Sequence, residues 1–305
     1  MTRELAKPRL YTVIVNERSG GGRAGRQLQK VVRHLHDHLP TAELHIVRSE
    51  SFQDAERSCR AAANACRDGD AVVVMGGDGM AHLGLNACAD TEATLGIIPA
   101  GTGNDFARGI GLPKSVEQCV GVIAAGRTRR VDLSKVSNAT YAERYVGAVV
   151  SSGYDARVNR ATNDIHLRFG PLSYGYIALR ELRDFSPLHY RLTIDGEERK
   201  LEAMLVAVCN TGMFGGGMKI SPEADPTDGL LDVTIVHPTS RATLLRLLPM
   251  MYTGGFTKNP AVEQFRARTV EIAGDDLFVM GDGEELGSVP ATVSAEADAL
   301  RIFVP

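Results

Sequence analysis

The sequence predicts an α/β domain on a mostly parallel, doubly wound sheet, followed by a second, largely antiparallel β domain. Three observations predict it. Aliphatic, β-branched runs alternate with helix-period segments through the first third of the chain. Two of those runs pass directly into glycine clusters, GGDG at 76–79 and GTGND at 101–105. After GRTRRVDL (126–133) the chain turns to closely spaced β-type segments with turns such as IDGEE at 194–198.

Taken in order, LYTVIV (10–15) reads as a strand, and residues 27–39 as a helix with Leu28, Val31, Val32, Leu35 and Leu39 on one face. ELHIV (43–47) is a strand and residues 54–66 a helix. AVVVM (71–75) is a fully buried strand, residues 80–88 a short helix, LGIIPA (95–100) a further strand and residues 115–125 a helix. Repeated βα units of this kind imply parallel pairing. Beyond about residue 132, RYVGAVVSS, YRLTID, EAMLVAVCN, GLLDVTIV, TVEIAG and LRIFVP are the strand candidates. Two apolar helical segments interrupt them, at 172–185 and 240–254. The expected division is 1–132 and 133–305, with the strand near 299–305 a candidate to pack back on the first domain.

The chain has 305 residues, 44% of them hydrophobic and 23% charged, which suits a folded globular protein. A net charge of −3 gives no global attraction to nucleic acid. The five cysteines form no CxxC pair, and Cys59, Cys66, Cys88 and Cys119 read as small core residues, which suits a reducing compartment. No stretch approaches eighteen apolar residues, and the N-terminal segment has no secretory pattern, so a cytoplasmic chain is expected.

GGDG and GTGND carry the first chemical signal. Glycines at 76, 77, 79, 101 and 103 let backbone N–H groups converge on phosphate oxygens, and Asp78 and Asp105 offer carboxylates to magnesium or its waters. Each motif alone could be a tight turn. Two of them at the carboxyl ends of neighbouring strands stand where open α/β sheets bind ligands.

IVNERSGGG (14–22), GGDG, IIPAGTGNDFAR (97–108), CNTGMFGGGMKISPEADPTDGLLDV (209–233) and GDGEELGSVPA (281–291) together resemble the diacylglycerol kinase catalytic-domain family of lipid kinases, over essentially the whole chain. The resemblance implies a Rossmann-like, NAD-kinase-like N-terminal domain, a β-sandwich C-terminal domain, ATP bound between them, and magnesium. It implies an ATP-dependent lipid kinase that phosphorylates diacylglycerol to phosphatidic acid in phospholipid metabolism. It is compatible with a homodimer and with peripheral association at a membrane, where the lipid substrate lies.

Position by position, the resemblance places Asn16, Ser19, Gly20 and Ser49 near the nucleotide. It sets the triphosphate against Gly76, Gly77, Asp78 and Gly79, and Gly101, Thr102, Asn104 and Asp105 in the second loop. Asn16 and Ser19 could equally cap the following helix. Met80 and Leu83 depart from the family's Thr and acidic residue: at Met80 the nucleotide loop keeps its backbone amides and loses a hydroxyl.

DGE at 282–284 is the strongest catalytic candidate, because phosphoryl transfer asks for positioning, charge neutralisation and a carboxylate to take the acceptor's proton. The resemblance gives Glu284 the base role, with Asp282 as an orienting or second acidic group. Asp-Gly is also a strong signal for a type I′ hairpin turn, which is compatible with that role. In 222–232 the resemblance implies a structural magnesium held by the Asp228 carboxylate and by backbone carbonyls at Asp225 and Leu230, where an Asp-Gly turn in a solvated loop is the plainer reading.

His34, His36 and His38 read as a solvated helix end, and Arg127, Arg129 and Arg130 as a solvated junction. Apolar residues at 172–179 and 244–256, among them Tyr174, Leu247, Met250, Met251, Tyr252 and Phe256, line a lipid groove or pack a core. Kinases of other lipids (a sphingoid base, ceramide or a glycolipid) and a nucleotide-binding regulatory protein that has lost catalysis are the alternative readings. NAD kinase shares GGDG, but PAGTGNDFAR and GGGMKISPEAD argue against it, and no P-loop GxxxxGK[ST] occurs.

Overall fold

A computed structural model describes residues 9–164, 180–181 and 185–305. The chain divides into two compact units, 1–131 with 299–305, and 132–298.

In the first unit β1 (Leu10–Val15), β2 (Glu43–Arg48), β3 (Ala71–Gly76) and β4 (Thr94–Pro99) form a parallel sheet in the order β2-β1-β3-β4. β3 and β4 are buried at every residue, as expected of parallel strands covered on both faces. Arg301 and Ile302, near the end of β18 (Ala291–Phe303), pair parallel with Thr94 and Leu95. Phe303 stacks on Tyr11 within the same core. The chain's last strand thus closes a sheet begun by its first.

Helix α1 (Ser19–His38) buries Ala24, Leu28, Val31 and Leu35, spaced four, three and four apart, so one face meets the sheet. Its regular part starts only after Gly22, because Gly20, Gly21 and Gly22 have φ of 60, 67 and 81°. Helices α2 (Phe52–Ala65), α3 (Asp78–Cys88), α4 (Asp105–Gly109) and α5 (Val116–Ala125) follow. Ser51 caps α2 by accepting from the Asp54 N–H at 3.1 Å.

The second unit is antiparallel. One sheet runs β14-β13-β10-β7-β16-β17, with β7 (Val149–Gly153), β10 (Leu205–Cys209) and β13 (Leu231–Val236) buried throughout at its centre. β14 (Val262–Ala267), β16 (Phe278–Gly281) and β17 (Glu284–Ser288) complete it. The other sheet joins the first part of β18 to β15 (Thr269–Ala273), β8 (Leu188–Ile194) and β9 (Glu197–Ala203). Val206, Val208, Val233 and Ile235 of the first meet Leu192, Val270, Ile272 and Val293 of the second in one dry core. β5 (Thr128–Ser137) pairs with β6 (Arg144–Val146), while β11 (Met213–Phe214) and β12 (Met218–Lys219) form a small separate pair.

Two helices belong to this unit, α6 (Tyr154–Asp164) and α7 (Arg241–Met251), the second capped by Ser240 and followed by a 3₁₀ turn at Gly255–Lys258. Three differences from the sequence reading have physical causes. Of the arginine run at 127–130, read as a junction, Arg129 and Arg130 lie within strand β5, whose Val131, Leu133 and Val136 are buried. Helix α6 has a polar composition without a clean apolar stripe, so periodicity gave no signal for it. The helix expected at 172–185 falls almost entirely outside the described residues.

Candidate active site

Each unit carries one group of the residues singled out above. In the first unit, the ends of β1, β3 and β4 bring together Asn16, Ser19, Gly20, Gly76–Gly79 and Gly101–Asp105. Asn16 N–H bonds to the Met75 carbonyl at 3.2 Å, while its side-chain oxygen accepts from the Arg18 N–H at 3.1 Å. A Cβ at Gly20 would run into the Ala100 carbonyl, and one at Gly101 into the Gly77 backbone, so the loops touch backbone to backbone. The Ser19 hydroxyl lies beside Gly76. Ser49 stands further back, its N–H and hydroxyl both donating to the Val15 carbonyl at 3.0 Å.

Asp78 joins the two glycine loops. Its Oδ2 accepts the Asn104 N–H at 2.8 Å and its Oδ1 the Asp105 N–H at 2.6 Å, which places the carboxylate at the amino end of α4. Asn104, left-handed at φ 55°, closes the loop on itself by bonding Gly101 through both ends of its amide. Thr102 is exposed at the loop's tip. Met80 and Leu83 are buried, with the Met80 side chain against Gly76. Their departure from the family pattern is therefore a packing choice, with no apolar side chain placed in the open loop.

A cavity of about 230 Å3 opens at this second loop, lined by Gly101, Thr102 and Asn104 together with Arg23, Arg108 and Lys114. The sequence reading did not assign Arg23 or Lys114. Arg23 sits inside the SGGGRAGR run, and Lys114 follows Leu-Pro after α4, so each looked like an ordinary solvated cation. Three cations beside backbone amides are the chemistry that an anion requires.

In the second unit β16 and β17 form a hairpin whose turn residues, Asp282 and Gly283, have φ of 51 and 86°. That is the two-residue turn with positive φ at both positions expected of Asp-Gly. Asp282 accepts the Gly147 N–H at 2.9 Å and the Ala148 N–H at 2.8 Å, tying the hairpin tip to the segment between β6 and β7. Asn210 holds the other side of that segment, its amide donating to the Gly147 carbonyl at 2.9 Å and to the Asp132 carbonyl at 2.8 Å. Asn210 was quoted in the sequence motif without a role. Only the tertiary pairing reveals one.

Glu284 starts β17, half-buried, and its carboxylate makes no hydrogen bond or ion pair among the described residues. The next residue, Glu285, points the other way and is gripped by Arg160 of α6 at 2.7 and 2.9 Å, whose guanidinium also lies 3.3 Å over the Phe278 ring. The hairpin is thereby fastened at Asp282 and Glu285, and Glu284 between them is left available.

In the acidic loop Asp228 accepts the Leu230 N–H at 3.0 Å, and Asp225 accepts the Thr227 hydroxyl at 2.6 Å. Arg266 approaches both Asp228, at 3.4 Å, and Asp232, at 3.5 Å. Burial pushes the Asp232 carboxyl above its ordinary value despite that arginine. Among the described residues no three His, Cys, Asp or Glu side chains gather as a metal cluster. A cation here would rest on one carboxylate, backbone carbonyls and water, oxygen donors that suit magnesium or calcium.

Of the lipid-groove residues, Leu247, Met251 and Phe256 are buried and line an apolar cavity of about 60 Å3 beneath α7, whereas Met250 and Tyr252 are exposed. Those at 172–179 lie outside the described residues. The histidines of α1 carry no metal geometry, His38 bonding the His34 carbonyl. No described helix is long and apolar enough to cross a membrane.

Residues 10–136 match the model of the diacylglycerol kinase catalytic domain, and residues 148–304 that of the YegS C-terminal NAD kinase beta sandwich-like domain. The chain is 36% identical over 296 residues to a diacylglycerol kinase of Mycobacterium tuberculosis, covering 96% of this chain and 94% of the relative. It is 28% identical over 240 residues to a diacylglycerol kinase of Staphylococcus saprophyticus, covering 77% of each. A solved structure of a Bacillus anthracis protein superposes with a TM-score of 0.81 at 25% identity, covering 100% of this chain and 98% of that one. Yeast NADH kinase, at a TM-score of 0.55 and 12% identity, shares the fold alone. With both units matched and a relative alike along nearly its whole length, the chain belongs to the diacylglycerol kinase family and is a kinase.

Proposed function

We propose that this kinase transfers the γ-phosphoryl group of ATP to the free hydroxyl of diacylglycerol, giving phosphatidic acid and ADP at a membrane surface. The observation that carries the reading is Glu284. Among the described residues its carboxylate is left without a partner, on a hairpin pinned on either side of it by Asp282 and Glu285. An orphaned carboxylate on a rigid support is what a general base requires. The names of the similar proteins support diacylglycerol as acceptor.

In this reading the triphosphate lies along the amides of Gly76–Gly79 and Gly101–Asp105, with Arg23, Arg108 and Lys114 meeting its charge. Asn16, Ser19 and Thr102 offer polar groups to it, and Asp105 would supply a loop carboxylate to its magnesium. Magnesium would neutralise charge on the transferring phosphoryl. The acceptor oxygen attacks the γ-phosphorus, the bond from that phosphorus to the β,γ-bridging oxygen breaks, and Glu284 takes the hydroxyl proton. Asp282 fixes the turn that aims Glu284. A second, structural cation would use the Asp228 carboxylate with the carbonyls of Asp225 and Leu230.

The test is transfer of radiolabelled γ-phosphate with magnesium to diacylglycerol, monoacylglycerol, ceramide, sphingosine and NAD in mixed micelles. Label in phosphatidic acid is expected. Label in another lipid would keep the mechanism and change the acceptor, and no label anywhere with ATP still bound would overturn the catalytic reading.

A further inference from the structure

Helix α7 has apolar residues on both of its faces. Leu244, Leu247, Leu248 and Met251, spaced as one helical stripe, turn inward over the apolar cavity. An ordinary surface helix would show water a polar opposite face. This one shows Leu245 and Met250, exposed by 42 and 40%, and Tyr252 just beyond its end is exposed by 55%. Only one other large hydrophobic side chain is as exposed among the described residues, Phe52 in the first unit.

The charges carried by this stretch of chain are of one sign. Arg241, Arg246 and Lys258 are exposed on the helix and the turn after it, and none has an ion pair among the described residues. No Asp or Glu occurs from 233 through 262, in a chain whose net charge is −3. A solvated docking face for an acidic or mixed protein partner would carry both signs and fewer bare aliphatics. Outward leucine, methionine and tyrosine interleaved with arginine is the pattern of a helix lying in a lipid interface.

We infer that α7 and the turn following it form the docking surface by which this chain sits on an anionic lipid bilayer, with Leu245, Met250 and Tyr252 entering the headgroup boundary and Arg241, Arg246 and Lys258 meeting lipid phosphates. The inference rests on the lipid-kinase reading for its purpose and on the helix alone for its geometry. With the inward stripe covering an apolar cavity, the helix separates the bilayer surface from an apolar interior.

The experiment is co-sedimentation of the full chain with phosphatidylcholine vesicles, with and without phosphatidylglycerol, at low and high salt. Wild type is expected to bind the phosphatidylglycerol vesicles and to lose binding as salt rises. Leu245→Glu is expected to weaken binding by about tenfold, from a lost insertion and an added repulsion. Arg241→Glu with Arg246→Glu is expected to abolish the preference for phosphatidylglycerol, and Phe52→Glu to change nothing. All four side chains are exposed, so each variant is expected to melt like wild type. Unchanged vesicle binding by both α7 variants would overturn the inference. So would α7 variants that dissolve a dimer in the absence of lipid, because the face would then join two copies of the chain. Phosphorylation of a water-soluble short-chain diacylglycerol separates the two readings. Leu245→Glu is expected to retain it, and a wild type that binds vesicles through α7 yet phosphorylates no lipid would sink the proposed function and leave the docking surface standing.

Discussion

Asp78 and Asp282 do the same thing in different units, and the contrast lies in what stands beside them. Each is an aspartate flanked by glycines just after a strand, and each accepts two successive backbone N–H groups from a segment far away in sequence. Asp78 holds the amides of the second loop, and that loop lines a cavity with the cations Arg23, Arg108 and Lys114. Around Asp282 is a second carboxylate, Glu284. One clasp assembles a place for negative charge, and the other presents negative charge. The aspartates hold the backbone, and their neighbours determine the chemistry.

That comparison breaks first at Glu284. Glu284→Gln is expected to lower turnover about a thousandfold, the scale of a lost general base, with melting temperature and ATP affinity unchanged because the carboxylate supports nothing. Turnover within a few-fold of wild type would remove Glu284 from the base role.

The two clasps sharpen it next. Asn in place of either Asp keeps the shape but turns an amide NH2 toward one backbone donor, so each variant is expected to lose about 2 kcal/mol by chemical denaturation. The functional effects should diverge. Asp282→Asn is expected to lower kcat roughly thirtyfold through a loosened Glu284, with ATP affinity unchanged. Asp78→Asn is expected to weaken ATP binding about tenfold, read by calorimetry. Identical kinetic signatures would dissolve the contrast.

Acidification gives a smaller effect confined to the first unit. Burial alone would raise the Asp70 carboxyl, but the amides of Leu10 and Arg67 and the Arg67 guanidinium outweigh it and hold the group below its ordinary value. A depressed aspartate contributes stability that is present above its unfolded value, about 3.9, and is lost as pH falls through the folded one. Asp70→Asn should therefore flatten the loss of melting temperature below about pH 4 relative to wild type. The Arg160–Glu285 pair is expected to matter least for stability. It is exposed by 41 and 48%, so Arg160→Ala should cost no more than about 1 kcal/mol.

Much of the fold was legible because its signals are local. Unbroken aliphatic runs marked β3 and β4, a three-four spacing marked the inward face of α1, and Asp-Gly marked the hairpin at 282–283. The candidate site was drawn from its glycines and its DGE. What stayed hidden is what folding brings together from afar. Nothing near Asp78 in sequence says that its oxygens meet the amides of residues 104 and 105, and nothing near Asn210 says that it grips the Gly147 carbonyl. Reading Asp78 as a carboxylate for magnesium or its waters did not foresee that its two oxygens hold the second loop. Met80 and Leu83 looked like losses at a ligand site and prove to be core residues.

The most direct test of the central claim, that Asp282 acts only by positioning Glu284, is the turnover of the double variant Asp282→Asn with Glu284→Gln against each single variant. With the base already absent, loosening its support should cost nothing further, so the double variant is expected to turn over at the rate of Glu284→Gln alone. A double variant slower by the full Asp282→Asn factor would mean that Asp282 takes part in the chemistry independently, and would contradict the account.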